Sequence, residues 1–84
     1  MNPLSAKRVF FLGIGGIGIS AIARLFLLEG KQVYGSDMSL SEITTELAKL
    51  GAHIQIGQGF ELIPKDVDLI VYTTAIKHYD PKLM

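Results

Sequence analysis

The segment of sequence that decides the fold reads VFFLGIGGIGIS over residues 9–20. Its first four residues form a short apolar run that ends at a glycine, which is typical of a strand buried on both faces of a parallel sheet. The next six satisfy the pattern G-x-G-x-x-G. In that pattern the glycines allow a tight turn, a close approach of the backbone to a phosphate, and close packing of helix on strand. The segment therefore predicts a strand followed by a phosphate-binding loop.

A helix is predicted directly after this loop, from Ile17 to Leu28. Its apolar positions recur at helical spacing and predict a wide buried face. They are Ile19, Ile22, Ala23, Leu25, Phe26 and Leu28. Gly30 stands where the end of a helix favours a left-handed residue.

Strands and helices alternate along the rest of the chain. Further strands are predicted over residues 32–36, 52–56 and 67–73. Ser39 and Glu42 match a capping box at the start of a second helix, which is predicted to run to Leu50 and to end at Gly51. This order predicts an α/β fold, a Rossmann-like parallel sheet with right-handed crossovers and helices on both faces.

The alternation stops after Thr74, because residues 75–84 provide no further helix to cover the sheet. At 84 residues the chain fits one small domain, over residues 1–84. We therefore expect a single domain that is truncated at its C-terminal end and cut from a longer protein.

Composition excludes several classes of function. Eight Lys and Arg balance eight Asp and Glu, so the chain lacks the basic surface that nucleic-acid binding requires. The absence of cysteine excludes disulfides, thiolate catalysis and cysteine zinc sites, and two histidines alone cannot build a metal site. No apolar run is long enough to span a bilayer. We expect a cytoplasmic protein with no nucleic-acid or membrane partner.

The glycine loop is the strongest candidate binding site. Residues Gly13, Gly15, Gly16, Ile17 and Gly18 precede a helix whose N-terminal amides can receive a diphosphate without any lysine or arginine. In the alternative interpretation the glycines only allow close packing. Without further information, a nicotinamide or flavin dinucleotide, a UDP-sugar and other nucleotides all fit such a loop.

Polar residues beside the loop extend this candidate site. Ser20 could add a hydroxyl donor, and Asp37 follows the second strand, where dinucleotide-binding folds place an acid that accepts hydrogen bonds from a ribose. Ser36 offers a second polar contact. The stretch Thr73, Thr74, Ala75 and Ile76 would end the fourth strand at the same edge of the sheet, as a nucleoside contact or as an ordinary strand end. By contrast, His53 is predicted on the surface, and Asp66 and Asp68 are predicted to be solvated turn charges.

Four stretches together resemble the N-terminal domain of the Mur ligase family, and within it the ligases that join L-alanine to UDP-N-acetylmuramate. They are GIGGIGIS at 13–20, GSD at 35–37, LGA at 50–52 and TTAI at 73–76. The resemblance covers nearly the whole chain, and GIGGIGIS is its most specific part. It implies a three-domain, ATP-dependent ligase of peptidoglycan synthesis, whose first domain holds UDP-N-acetylmuramate and whose other domains bind ATP, magnesium and the amino acid.

The resemblance also implies roles for individual residues. The UDP diphosphate would lie on Gly15, Gly16, Ile17 and Gly18 with Ser20 nearby, and the uridine would be bordered by Ser36, Asp37 and residues 73–76. No catalytic residue and no cofactor site would belong to this chain, which would be catalytically silent alone. Within the same superfamily, the sister ligase that attaches a recycled tripeptide to the same sugar nucleotide ranks second, because its glycine loop is filled differently. Two alternatives outside it stay open, namely the NAD-binding domain of an oxidoreductase and a nucleotide-sensing regulatory domain.

Overall fold

The computed structural model describes residues 5–57 and 60–72. Its elements are β1 (Arg8–Leu12), α1 (Ile17–Leu28), β2 (Gln32–Asp37), α2 (Glu42–Lys49), β3 (His53–Ile56), a short 3-10 helix (Phe60–Leu62) and β4 (Leu69–Val71). All four strands are parallel and lie in the order β3-β2-β1-β4. The predicted Rossmann-like parallel sheet is therefore confirmed.

One face of the sheet carries the hydrophobic core. Val9 pairs with Val33 across β1 and β2, so both side chains point to the same face. Phe11 lies on that face, where its ring meets the ring of Phe26 from α1 edge-on at 5.8 Å between centroids. Leu47 of α2 is fully buried in the same cluster. Both helices thus cover this face.

Helices were expected on both faces, but in residues 5–57 and 60–72 the two α-helices share one face. Arg24 of α1 and Glu46 of α2 form an ion pair between them. The strand order explains this arrangement. The steps from β1 to β2 and from β2 to β3 run in the same direction along the sheet, so right-handed crossovers put both helices on the same side.

The predicted wide buried face of α1 is wrong. Its buried side chains are Ile19, Ser20, Ala23 and Phe26, whereas Ile22, Leu25 and Leu28 are exposed. Because a helix rests on a sheet along one narrow stripe, the i, i+1, i+4 and i+7 positions counted from Ile19 suffice to fill the contact. The ends of the helix are as predicted, and Gly30 closes it with a φ of 83°.

The capping box of α2 is displaced from its predicted position. The Oγ of Ser41 accepts the Thr44 backbone N–H at 3.2 Å, and Thr44 Oγ1 accepts the Ser41 N–H at 2.8 Å. Ser39 and Glu42, the expected pair, do not form it. A threonine at the third helical position supplies the acceptor that glutamate normally supplies, so the pattern Ser-x-x-Glu pointed two residues too early.

Asp68 links the start of β4 to the start of β1 at the amino end of the sheet. Its Oδ2 accepts the backbone N–H groups of Lys7 at 2.8 Å and Arg8 at 2.9 Å. These bonds, from Arg8 first and Lys7 second, lower the pKa of the Asp68 carboxyl. Asp66 forms an ion pair with the Arg8 side chain. Both acids are exposed, as predicted for solvated charges, and in addition each has a specific partner at the start of β1.

At the carboxyl end of β2, a glycine allows another part of the chain to pack directly against the strand. A Cβ on Gly35 would lie 2.6 Å from Ile14 Cδ1 and 3.0 Å from the Phe11 carbonyl oxygen. Ile14 is completely buried. Gly35 therefore gives Ile14, which belongs to the glycine loop, a place directly on the strand.

We predict that Asp68→Asn removes an acid-sensitive part of the stability. A carboxyl whose pKa is lower in the folded state stabilises fully above its unfolded pKa of about 3.9, and that contribution is lost as the pH falls through the folded pKa. Urea unfolding of the wild type between about pH 6 and pH 2 should show this loss, and the variant should show a smaller one. Glu61→Gln, at an exposed carboxylate, is the control. An unchanged acid dependence in Asp68→Asn would contradict the assignment.

We also predict opposite effects of alanine at two glycines. Gly35→Ala should destabilise the fold by about 1–3 kcal/mol, because the new methyl group overlaps Ile14. Gly18→Ala should stabilise it by about 0.5–1 kcal/mol, because it lies in α1 with no atom within 4 Å of the new Cβ. Urea denaturation measures both. Equal effects would show that Gly35 is not a packing glycine.

Candidate functional site

The glycine loop lies at the carboxyl edge of the sheet, between β1 and α1. Gly13 makes the turn with a φ of 77°, a conformation that favours glycine. The N–H groups of Gly13 and Ile14 both donate to the Ser36 carbonyl oxygen, at 2.9 and 3.0 Å. The first half of the loop is thus bonded to the end of β2.

The second glycine of the motif faces the protein's own side chains. The Gly15 N–H donates to Asp37 Oδ2 at 2.8 Å. A Cβ on Gly15 would lie 2.8 Å from that oxygen and 3.0 Å from Thr44 Cγ2. The motif predicts that a phosphate approaches the backbone here, and in the structure the side chains of Asp37 and Thr44 line this side of Gly15. Glycine leaves room for both of them.

The helical half of the loop keeps its amides open. The Gly16 N–H donates to the Gly13 carbonyl oxygen at 3.0 Å, and Gly16 serves as the N-cap of α1 without any side-chain cap. Within the described part of the chain, the N–H groups of Ile17, Gly18 and Ile19 have no acceptor. The first turn of α1 contains no acidic residue. These amides and the helix dipole favour an anion at this position.

Gly18, the third glycine of the motif, does not make the close packing contact that was predicted for it. No described atom outside its own helix comes within 4 Å of a Cβ placed on Gly18. Close packing of helix on strand, expected at Gly18, is therefore not made there, and the tight contact lies at Gly35 instead. The side of α1 at Gly18 is open beside the free amides.

The two predicted serines do not present their hydroxyls to the loop as donors. Ser20 is buried, and its Oγ donates to the Ile17 carbonyl oxygen at 3.0 Å. Successive residues of a strand point to opposite faces, so the Ser36 side chain lies on the face away from Asp37. The Ser36 Oγ is buried and has no hydrogen-bond partner among the described residues. Ser36 contributes to the loop through its backbone carbonyl.

Asp37 is the predicted residue that the structure does bring to the loop. Its Oδ2 holds Gly15, and its Oδ1 lies 3.4 Å from the Ser39 N–H, which is long for a hydrogen bond. Sequence reasoning missed Ile14 and Thr44 as neighbours of this site. The glycine inside strand β2 was the available signal, since such a glycine often marks a close approach of another backbone.

The remaining candidates are placed only in part. Thr73, Thr74, Ala75 and Ile76 lie outside the described residues. His53 is exposed as predicted, and its ring stacks on Tyr34 at 5.1 Å between centroids. Residues 5–57 and 60–72 include no group of three or more His, Cys, Asp or Glu that could hold a metal. Over the same residues, no helix has the length and apolar character to cross a membrane.

Curated relatives match this chain over most of its length. UDP-N-acetylmuramate--L-alanine ligase from Clostridium kluyveri is 46% identical over 78 residues, which is 93% of this chain and 17% of that protein. The protein of the same name from Clostridium tetani is 49% identical over 77 residues, 92% of this chain and 17% of its own length. That from Acetivibrio thermocellus is 46% identical over 83 residues, 99% and 18% respectively. The chain thus spans less than a fifth of these relatives.

A solved structure and a family model agree with these relatives. The crystal structure of a murein peptide ligase from Psychrobacter arcticus superposes with a TM-score of 0.73 at 28% sequence identity, covering 79% of this chain and 14% of that one. The model of the Mur ligase family, catalytic domain, matches residues 8–84. With its parallel sheet and its glycine loop before α1, the chain therefore belongs to the Mur ligase family.

Proposed function

We propose that this chain is the UDP-N-acetylmuramate-binding N-terminal domain of an ATP-dependent ligase that joins L-alanine to UDP-N-acetylmuramate in peptidoglycan synthesis. One observation carries the proposal: the relatives that share 46–49% of their residues over 92–99% of this chain bear the name of that ligase. The open amides of the glycine loop supply a physical reason for a diphosphate ligand.

The diphosphate would rest at the start of α1. Its negative charge would meet the N–H groups of Ile17 and Gly18, both exposed residues, at the positive end of the helix dipole. Gly16 and Gly13 shape the turn that presents these amides. The uridine would lie beyond Asp37 and toward the carboxyl end of β4, which residues 73–76 follow in the sequence.

The chemical step would take place on other domains of the same enzyme. The sequence contains no G-x-x-x-x-G-K-[ST] segment for ATP phosphates. ATP and magnesium would therefore be bound outside this chain, where the muramyl carboxylate would take the terminal phosphoryl group of ATP with release of ADP. The alanine amine would then attack the acyl phosphate and displace inorganic phosphate to form the amide bond. The isolated chain would bind substrate in the cytoplasm without turning it over, and its partners would be the remaining domains.

The test is a backbone-amide NMR titration with UDP-N-acetylmuramate, NAD and ATP in parallel. We expect the sugar nucleotide alone to shift the resonances of Ile17, Gly18 and Ile19, because among residues 13–19 these N–H groups are the ones without an acceptor in the described structure. A response to NAD alone would contradict the proposal and favour a dinucleotide-binding domain. No response to any of the three would also count against binding by this chain.

A matched pair of variants shows whether the shifts come from direct contact. Gly18→Val places a branched side chain over the amides at the N-terminus of α1, since helical side chains lean toward that end. It should weaken binding by about tenfold or more. Ala48→Val adds the same kind of bulk at an exposed position in the last turn of α2 and should leave affinity unchanged. Equal affinities of the two variants would show that the ligand does not bind at this end of α1.

A further inference from the structure

The amides of the glycine loop divide into two groups. Those of Gly13 and Ile14 are bonded to the Ser36 carbonyl, that of Gly15 to the Asp37 carboxylate, and that of Gly16 to the Gly13 carbonyl. The next three amides have no acceptor among the described residues. The loop amides before α1 are therefore hydrogen-bonded within the protein, whereas those of the first turn of α1 are not.

Asp37 makes the one contact in this set that comes from a side chain. The other three hydrogen bonds go to two backbone carbonyls, those of Ser36 and Gly13, whose positions follow from the sheet and the turn. Glycine-rich segments have unusual conformational freedom, so the loop needs a restraint beyond its own sequence. A hydrogen bond from N–H to a carboxylate is roughly twice as strong as one between neutral groups.

Helix α2 keeps Asp37 and the loop together. Thr44 is buried, and its Cγ2 lies 3.0 Å from the position that a Gly15 Cβ would occupy. The Thr44 hydroxyl is already used in the capping box with Ser41. Thr44 therefore presents only its methyl group to the loop and leaves the Gly15 N–H to Asp37.

We propose that Asp37 is a positioning residue of the diphosphate site, which holds Gly15 so that the following amides of α1 face the ligand. This role rests on the proposed function. A residue that contacts the nucleoside would affect only nucleotides, as was expected of Asp37. A positioning residue acts through the loop and affects the binding of every diphosphate equally. The Gly15 amide stays bonded to Asp37 and takes no phosphate oxygen.

The test compares UDP and inorganic pyrophosphate as ligands for the wild type, Asp37→Ala and Asp37→Asn. Asparagine can offer its side-chain oxygen to the Gly15 N–H, whereas alanine cannot. Both variants lose the same negative charge, so the difference between them isolates the hydrogen bond. Asp66→Ala removes a carboxylate at the opposite edge of the sheet and is the control for net charge.

We expect Asp37→Ala to weaken UDP and pyrophosphate by the same factor, about tenfold. Asp37→Asn should recover most of both losses, and Asp66→Ala should change neither. In the ligand-free protein, the Gly15 amide resonance should move in Asp37→Ala, as expected when a strong acceptor is removed. This spectroscopic readout needs no ligand and therefore tests the contact separately from binding.

Other results would overturn the proposal in recognisable ways. Loss of UDP affinity with pyrophosphate unchanged would make Asp37 a reader of the nucleoside. Tighter pyrophosphate binding in Asp37→Ala would show that the carboxylate blocks the Gly15 amide from the ligand. A Gly15 amide resonance that does not move in Asp37→Ala would show that the hydrogen bond between Gly15 and Asp37 is not formed. A wild-type chain that binds neither ligand would defeat the proposed function, and the positioning role with it, before any variant is compared.

Discussion

The attachment of the glycine loop to the last three residues of β2 is the constraint on which the site depends. Gly35 leaves room for Ile14, the Ser36 carbonyl accepts two amides, and the Asp37 carboxylate accepts a third. Each residue uses a different property: absence of a side chain, a backbone acceptor and a charged acceptor. Together they fix where β1 ends and therefore where α1 begins. The amides of Ile17, Gly18 and Ile19 are open because the first turn of a helix has no preceding turn to supply acceptors, and the bonded loop before them sets where that turn lies.

This arrangement gives the proposed diphosphate site a physical basis in a chain with no net charge. The attraction comes from oriented backbone dipoles at a helix start, which need no lysine or arginine. Such dipoles are effective only when they are held in place before the ligand arrives, because ordering a flexible loop costs free energy on binding. The buried Ile14 and the bonded Gly15 provide that order in the free protein.

Local sequence patterns predicted where the helices and strands lie better than they predicted which residues contact one another. The bounds of α1 and the parallel strands follow from runs of apolar residues and from glycine at turns, which are properties of short segments. The packing glycine was placed at Gly18 rather than Gly35, because the motif names positions along the chain and not the side chain that will approach them. The capping box was assigned to Ser39 rather than Ser41 for a similar reason, since Thr44 can replace the expected glutamate. The face that each helix covers depends on strand order, which no single segment encodes.

Hydrogen exchange of the loop amides in the ligand-free protein tests the central claim most directly. The account predicts slow exchange at Gly13, Ile14, Gly15 and Gly16, whose N–H groups are bonded within the protein, and fast exchange at Ile17 and Gly18, whose N–H groups are open. Uniformly fast exchange across these residues would contradict it, because the loop would then not be held by the end of β2 before a ligand binds.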